Sequence, residues 1–329
     1  SLASFFSAIL NSHNRFAAAA AAPIILNIVL IATLFFAKIL NDKLVYYLSY
    51  AVTISGFIQF IFLYIVVKKF FISKINFNFK FNEKVKFFFK KLLPSIFSSG
   101  VVQINILVGT IIASFQASAV SYLYYADRVY QINLAIAGIA ISTVILPKLS
   151  NLVDEQNSHE IKNIQNKALE LSLFLSFPAT IALIIASEPT ISSLFGYGSF
   201  SQTAVENSSK ALFYFAFGLP AFALIKVFSS FFFARHNTKT PFLISIFSVF
   251  TNILISLVFF QKIGFIILPI ATSISSWVNA IFLYIFMRKK DLFEFNDLFK
   301  YRFPRIVLSS FCMGIILYLI LNMLGLKIE

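Results

Sequence analysis

The stretch AAAAAAPIILNIVLIATLFFAKIL, residues 17–40, is apolar almost throughout, and its one charge, Lys38, lies near its end. About 20 such residues at 1.5 Å each are enough to cross the roughly 30 Å of hydrocarbon in a bilayer. Outward from it, runs of the same kind recur at 44–67, 94–119, 121–147, 167–187, 208–233, 242–260, 264–287 and 304–324. Residues 1–12 read as the tail of an earlier span. Of the 329 residues, 59% are hydrophobic and only 12% charged, with a mean hydropathy of +0.86. A water-soluble domain would carry about a quarter charged residues, because its surface must face water. The chain is therefore expected to be all-α, a polytopic integral membrane helix bundle, since helices satisfy their own backbone in lipid.

Basic residues set the orientation. Arg15, Lys68–Lys91, Lys148, Lys162, Lys167, Arg235, Lys239 and Arg288–Arg305 fall in one set of alternate loops, which holds 20 of the 27. The opposite set holds Lys38, Lys43, Lys210, Lys262 and Lys327, so the first set is cytoplasmic. Topology accounts for most of the net charge of +14, and nucleic acid is not an expected partner. The loop at 68–93 alternates apolar and polar residues through NFNFKF (76–81), then turns basic and aromatic from Glu83 to Lys91. Such a segment rests its rings among headgroups and its Lys68–Lys91 charges on anionic lipid. A docking site for a cytoplasmic protein is the other reading.

Enzyme templates are missing. The chain has no phosphate-binding P-loop, no Gly-x-Ser-x-Gly elbow and no His-Glu-x-x-His. Cys312, the single cysteine, sits in an apolar run, and His13, His159 and His236 are far apart, so neither a disulfide nor a metal site is expected. No cofactor is implied. The acidic residues Asp154, Glu155 and Glu160 read as solvated helix faces. The pair Gly196 and Gly198 reads as a turn in an outer loop, and Pro23, Pro94, Pro178 and Pro220 mark kinks or helix starts.

The chemistry concentrates in YYADRVYQ, residues 124–131. An ionisable residue inside a span faces a cavity or a partner. Arg128 lies roughly 10–15 Å below the outer surface by helical rise. Asp127 and Arg128 point about 100° apart, so each needs a partner other than its neighbour. Arg128 shares a face with Gln131, and Asp127 with Tyr130. A guanidinium beside an amide in a wet cavity suits a phosphate or pyrophosphate. An arginine that only pairs with a carboxylate or carbonyls of a neighbouring helix is the alternative. Lys226, about two turns from the cytoplasmic end of its span, either lines the same cavity or snorkels to the interface.

Several stretches together resemble the MurJ (MviN) family of the MOP exporter superfamily. They are SAVSYLYYADRVYQ (118–131) with LPKLS (146–150), and LFGYGSF (194–200). FARHNTKTP (233–241) and the set Leu10-Asn11, Asn14-Arg15-Phe16, Ala22-Pro23 and Leu26-Asn27 add to them. The resemblance covers essentially the whole chain. It implies two pseudo-symmetric six-helix lobes plus two further helices that form a groove. A start at Ser1 rather than Met is then expected of a fragment that lacks roughly the first three helices and the last. Residues 1–67 would end the N-terminal lobe, and 68–91 would be a cytoplasmic basic interfacial linker. Residues 92–290 would be the complete six-helix C-terminal lobe, and 291–329 a cytoplasmic loop with one groove helix.

The implied function is a flippase, a transporter rather than an enzyme, carrying lipid II from the inner to the outer leaflet of the bacterial plasma membrane. The family's motif arginine maps to Arg128, with Asp127 beside it, and its other essential arginines belong to the missing helices. Some relatives carry Glu where this chain has Gln131. Some bind sodium through a carboxylate in the helix matching 94–119, which has no acidic residue here. Export of another polyprenyl-linked oligosaccharide and MATE-like antiport are the rivals, and a monomer is expected. In the complete protein with Cys312 replaced by Ser, a Lys74→Cys thiol should react with a membrane-impermeant maleimide only in inverted vesicles. A Tyr197→Cys thiol should react only in intact cells, and the opposite pattern would invert the topology.

Overall fold

A computed structural model describes residues 2–12, 16–40, 44–70, 83–154 and 158–325, and every described element is helical. Arg15 and most of the 71–91 charges, with NFNFKF, lie outside the described residues or side chains. The chain divides into two units, Ser1–Asn82 and Glu83–Glu329.

The first unit holds α1 (Leu2–Ser12), α2 (Phe16–Leu40) and α3 (Leu44–Phe70). Its small core gathers Leu10, Ala22, Leu63 and Val67, with Phe6 packed on Phe60 and Tyr64 at 5.5 and 5.9 Å. Ile28, Phe35, Phe36, Val45 and Phe57 remain exposed. Hydroxyls on these helices bond back to their own backbone, as Thr33 does to the Val29 carbonyl at 2.8 Å. That contact removes the penalty of an unpaired hydroxyl in lipid. Lys68 and Lys69 end α3 exposed, at the cytoplasmic side assigned from charge.

The second unit runs through α4 (Glu83–Ser114), α5 (Ala119–Leu134), a π-helical turn (Ala135–Ala140), α6 (Ile141–Asp154) and α7 (Ser158–Ile185). It continues with α8 (Ser187–Phe195), α9 (Gln202–Ala216), α10 (Leu219–Phe233), α11 (Lys239–Ile263), α12 (Ile267–Lys289) and α13 (Asp297–Met323). Small residues let these helices approach closely, as is usual between membrane helices. Ala126, Ala211, Ala216, Ala221, Ala223 and Ala271 are fully buried, with Ser172, Ser176 and Ser208. One apolar cluster centres on Tyr130, Leu212, Phe215 and Phe265, and a second on Leu169, Phe231, Phe232 and Phe293.

Several boundaries differ from the sequence reading: α7 begins at Ser158 and α13 at Asp297, before the spans expected from 167 and 304. The helix expected at 94–119 begins at Glu83, so the basic stretch is helical, and it ends at Ser114. The span expected at 208–233 is broken at Phe217–Gly218, and its halves bend by 45°. Gly218 fits only because it lacks a Cβ, which would lie 2.8 Å from Ser273 Oγ and 3.1 Å from Ser273 Cα. Pro220 then starts the second half at a position where its missing N–H is harmless. The freed carbonyls are taken up by α12. Ser273 Oγ donates to Tyr214 O at 2.6 Å, and Trp277 Nε1 to Phe217 O at 2.9 Å.

The span at 121–147 widens into the π turn. There the Ala137 carbonyl accepts from Ser172 Oγ of α7 at 2.7 Å. Residues 239–289 form one apolar stretch of 51 residues, folded back at Gly264, where φ is 74°. Gln116 Oε1 accepts from Phe265 N at 2.8 Å and clasps this turn to the α4–α5 corner.

At the opposite end, Asn166 of α7 ties down the connection between α12 and α13. Its amide donates to Glu294 O at 2.9 Å, and its oxygen accepts from Asn296 N at 3.1 Å. The Asn296 side chain in turn caps α13 by accepting from Phe299 N at 2.8 Å. The Phe293 ring meets Phe295 edge-on at 4.9 Å, and Phe295, Phe299 and Phe303 stack in series at 4.8 and 5.7 Å. Arg302 pairs with Glu170 at 2.9 Å and Lys162 with Glu294 at 3.1 Å. The Lys162 ammonium holds the exposed Glu294 carboxyl below its ordinary value.

Asn166→Ala, which strands the Asn296 N–H and the Glu294 carbonyl, should destabilise the detergent-solubilised protein by about 1–3 kcal/mol. Lys162→Ala, which breaks only an exposed pair, should change it far less. Thermal unfolding of the two variants side by side checks the order.

Candidate functional site

Helix α5 is two-faced. Ala119, Ala126, Val129, Tyr130 and Leu134 are buried against the rest of the lobe, close to α9 and α10. Arg128 and Gln131 are exposed, and Asp127 is half-buried. Tyr130 turns into the core, with its ring 5.7 Å from Phe215 and 5.4 Å from Phe222.

The two charged neighbours diverge. Asp127 accepts a hydrogen bond from Gln131 Nε2 one turn along the helix. The amide expected to assist Arg128 thus spends a donor on Asp127, because i and i+4 positions stand one above the other. The Arg128 guanidinium lies over the Tyr124 ring at 4.6 Å, and none of the ion pairs among the described residues involves it. A guanidinium lying on a ring face keeps its N–H edge free for a forked acceptor, the geometry that phosphate oxygens offer.

Asp127 lines a cleft of about 280 Å³ inside this lobe, and Arg128 is not among the lining residues. Asn105, Gly109 and Thr110 of α4 and Tyr124 of α5 line it, with Asn252 and Ser256 of α11 and Thr272 of α12. Asn252 bridges two of these by donating to Thr272 Oγ1 at 3.3 Å and accepting from Ser256 Oγ at 3.2 Å. The sequence reading missed this polar lining. Its signal was present in α11, where Ser248, Asn252 and Ser256 recur every four residues and are all buried. Among the described residues, no three His, Cys, Asp or Glu side chains gather as metal ligands would.

Lys226 is exposed on α10, and its Cγ lies 3.4 Å from where a Cβ on Gly138 would stand. Its stem therefore packs along the π turn, about ten residues beyond Arg128, or roughly 15 Å of helix. No hydrogen bond or ion pair among the described residues joins it to Asp127 or Arg128.

Compared with known proteins, the chain matches the family model described as lipid II flippase MurJ over residues 1–326. It is 36% identical to a probable lipid II flippase MurJ of Rhizobium meliloti (strain 1021) over 99% of its own length and 61% of that protein. The chain thus spans about three fifths of the length of the curated relatives it matches. A solved lipid II flippase MurJ in an inward closed conformation superposes with a TM-score of 0.78 at 26% identity, covering 98% of this chain and 70% of that one. A MOP superfamily transporter from Pyrococcus furiosus shares the fold, with a TM-score of 0.62 at 18% identity over 87% of this chain and 65% of that one.

Gln131→Leu removes the donor that serves the Asp127 carboxylate. It should destabilise the protein by no more than about 1.5–3 kcal/mol, the range for a hydrogen bond to a charged group. Ile132→Ala, on the exposed side of the same helix, is the comparison and should shift the melting temperature less.

Proposed function

We propose that this chain, which belongs to the lipid II flippase MurJ family, forms the greater part of a flippase for a polyprenyl-pyrophosphate-linked cell-wall precursor. The chain is part of a multi-pass protein of the bacterial inner membrane, and its helices follow the all-α MOP-type architecture. The substrate is lipid II, and the protein is a transporter, not an enzyme. Residues 92–290 act as its C-terminal lobe, residues 1–67 close the N-terminal lobe, and α13 is a groove helix.

The observation that carries this reading is the Arg128 guanidinium, exposed within an apolar span, seated on an aromatic ring and in no ion pair among the described residues. In a low-dielectric site such a group attracts a pyrophosphate far more strongly than it would in water. Asp127 answers the charge from inside the lobe, so the arginine is partly balanced without being covered. Gln131 bridges the two roles through the amide donor left after its bond to Asp127. Lys226 meets the same headgroup only at a different depth, because the π turn separates it from Arg128.

Rocking of the lobe about this site would expose the headgroup alternately to the two sides of the membrane. Membrane potential is a sufficient drive, at about 2.3 kcal/mol per charge across 100 mV. Lys68 and Lys69 rest on anionic lipid, and the protein works as a monomer. Export of another polyprenyl-linked oligosaccharide by the same site remains the rival, since the pyrophosphate is common to both.

Depletion of the chromosomal gene with rescue by the complete protein tests the assignment. Arg128→Ala should fail to rescue while reaching the membrane at normal abundance, and Arg128→Lys should rescue only in part. Full rescue by Arg128→Ala would remove the central residue from the reading.

A further inference from the structure

The outer-loop turn at 194–200 has no part in the transport reading so far, yet its aromatic rings connect to Arg128. Phe195 and Phe200 pack on the Tyr125 ring at 4.9 and 5.0 Å. Tyr125 meets Tyr124 edge-on at 6.1 Å, and Tyr124 carries the guanidinium at 4.6 Å. The far end of this series is fixed. Phe195 and Phe200 are packed against the buried cluster of Leu212 and Phe215. The turn between them is set by Gly198 at φ 67°, and the Ser201 hydroxyl caps α9 directly behind it by accepting from Ala204 N at 3.2 Å.

An arginine side chain free to sample its rotamers loses entropy on engaging a headgroup. A ring under the guanidinium removes part of that loss beforehand. Tyr124 is itself 54% exposed, so burying the ring does not account for its position.

We propose that Tyr124 is a positioning residue that holds the Arg128 guanidinium ready for the pyrophosphate, and that Tyr125 and the Phe195–Phe200 turn brace it from the outer end. This inference rests on the assignment of Arg128 to the headgroup. The ring, not the hydroxyl, is the working part, because the cation lies over the ring face.

The test is a double-mutant cycle on the complete, detergent-solubilised protein, with farnesyl pyrophosphate as the probe and affinity read by calorimetry. Tyr124→Phe should bind like the wild type. Tyr124→Leu should bind about 3- to 30-fold more weakly, the span of a cation–π contact from exposed to desolvated settings. In an Arg128→Ala background, Tyr124→Leu should cause no further loss, and Phe200→Ala should weaken binding only while Arg128 is present. The proposal is overturned if Tyr124→Leu binds like the wild type, if Tyr124→Phe is as harmful as Tyr124→Leu, or if the losses simply multiply. Unchanged binding by Arg128→Ala alone would instead bring down the headgroup assignment, and this inference with it.

Discussion

A peptide group inside hydrocarbon has no water to turn to, and each one left unpaired costs several kcal/mol. Unbroken helices meet that demand without help, as in α2 and α3, where even the hydroxyls bond back to the preceding turn. The second unit meets it differently. Its helices are interrupted at the π turn and at Phe217–Gly218, and every interruption is matched by a polar side chain from a neighbour. Ser172 serves the first, Ser273 and Trp277 the second, and Gln116 the fold-back at Gly264. At each of these places the irregular backbone meets a polar side chain from a neighbouring segment. This reciprocal dependence holds α5, α7, α10 and α12 in one arrangement more specifically than apolar packing would.

The same economy governs charge. Asp127 and Arg128 are adjacent in the chain, but helical geometry sends them to different surroundings. The carboxylate turns to an amide donor and a cleft lined with neutral polar groups, and the guanidinium turns to a ring face and the outside of the lobe. A direct ion pair would have quenched both. Their separation leaves a positive group able to meet an anion, with a compensating negative charge one residue away.

Much of this was legible in the sequence. Apolar runs located α2, α3, α11 and α12 to within a few residues, because lipid imposes both length and composition on a crossing helix. The break at Phe217–Gly218 was not legible as a bend. Gly218 and Pro220 are also ordinary helix-end residues, and only the approach of Ser273 reveals why a side chain is forbidden there. Gln131 was assigned to Arg128 on i, i+3 spacing, and the i, i+4 alternative to Asp127 was equally available. Periodicity permits both pairings, and rotamers choose between them. The cleft of Asn105, Asn252 and Thr272 draws on three helices far apart in the chain, so single-helix patterns showed only its α11 side.

The connection between α12 and α13 is not a slack tether. Asn166 grips its backbone from both sides, a column of stacked rings fills the space beneath it, and Arg302 fastens the following turn to Glu170. A helix anchored so firmly at its root is held in register with α7 and the end of α12, and whatever shifts one of these helix ends carries the other two with it.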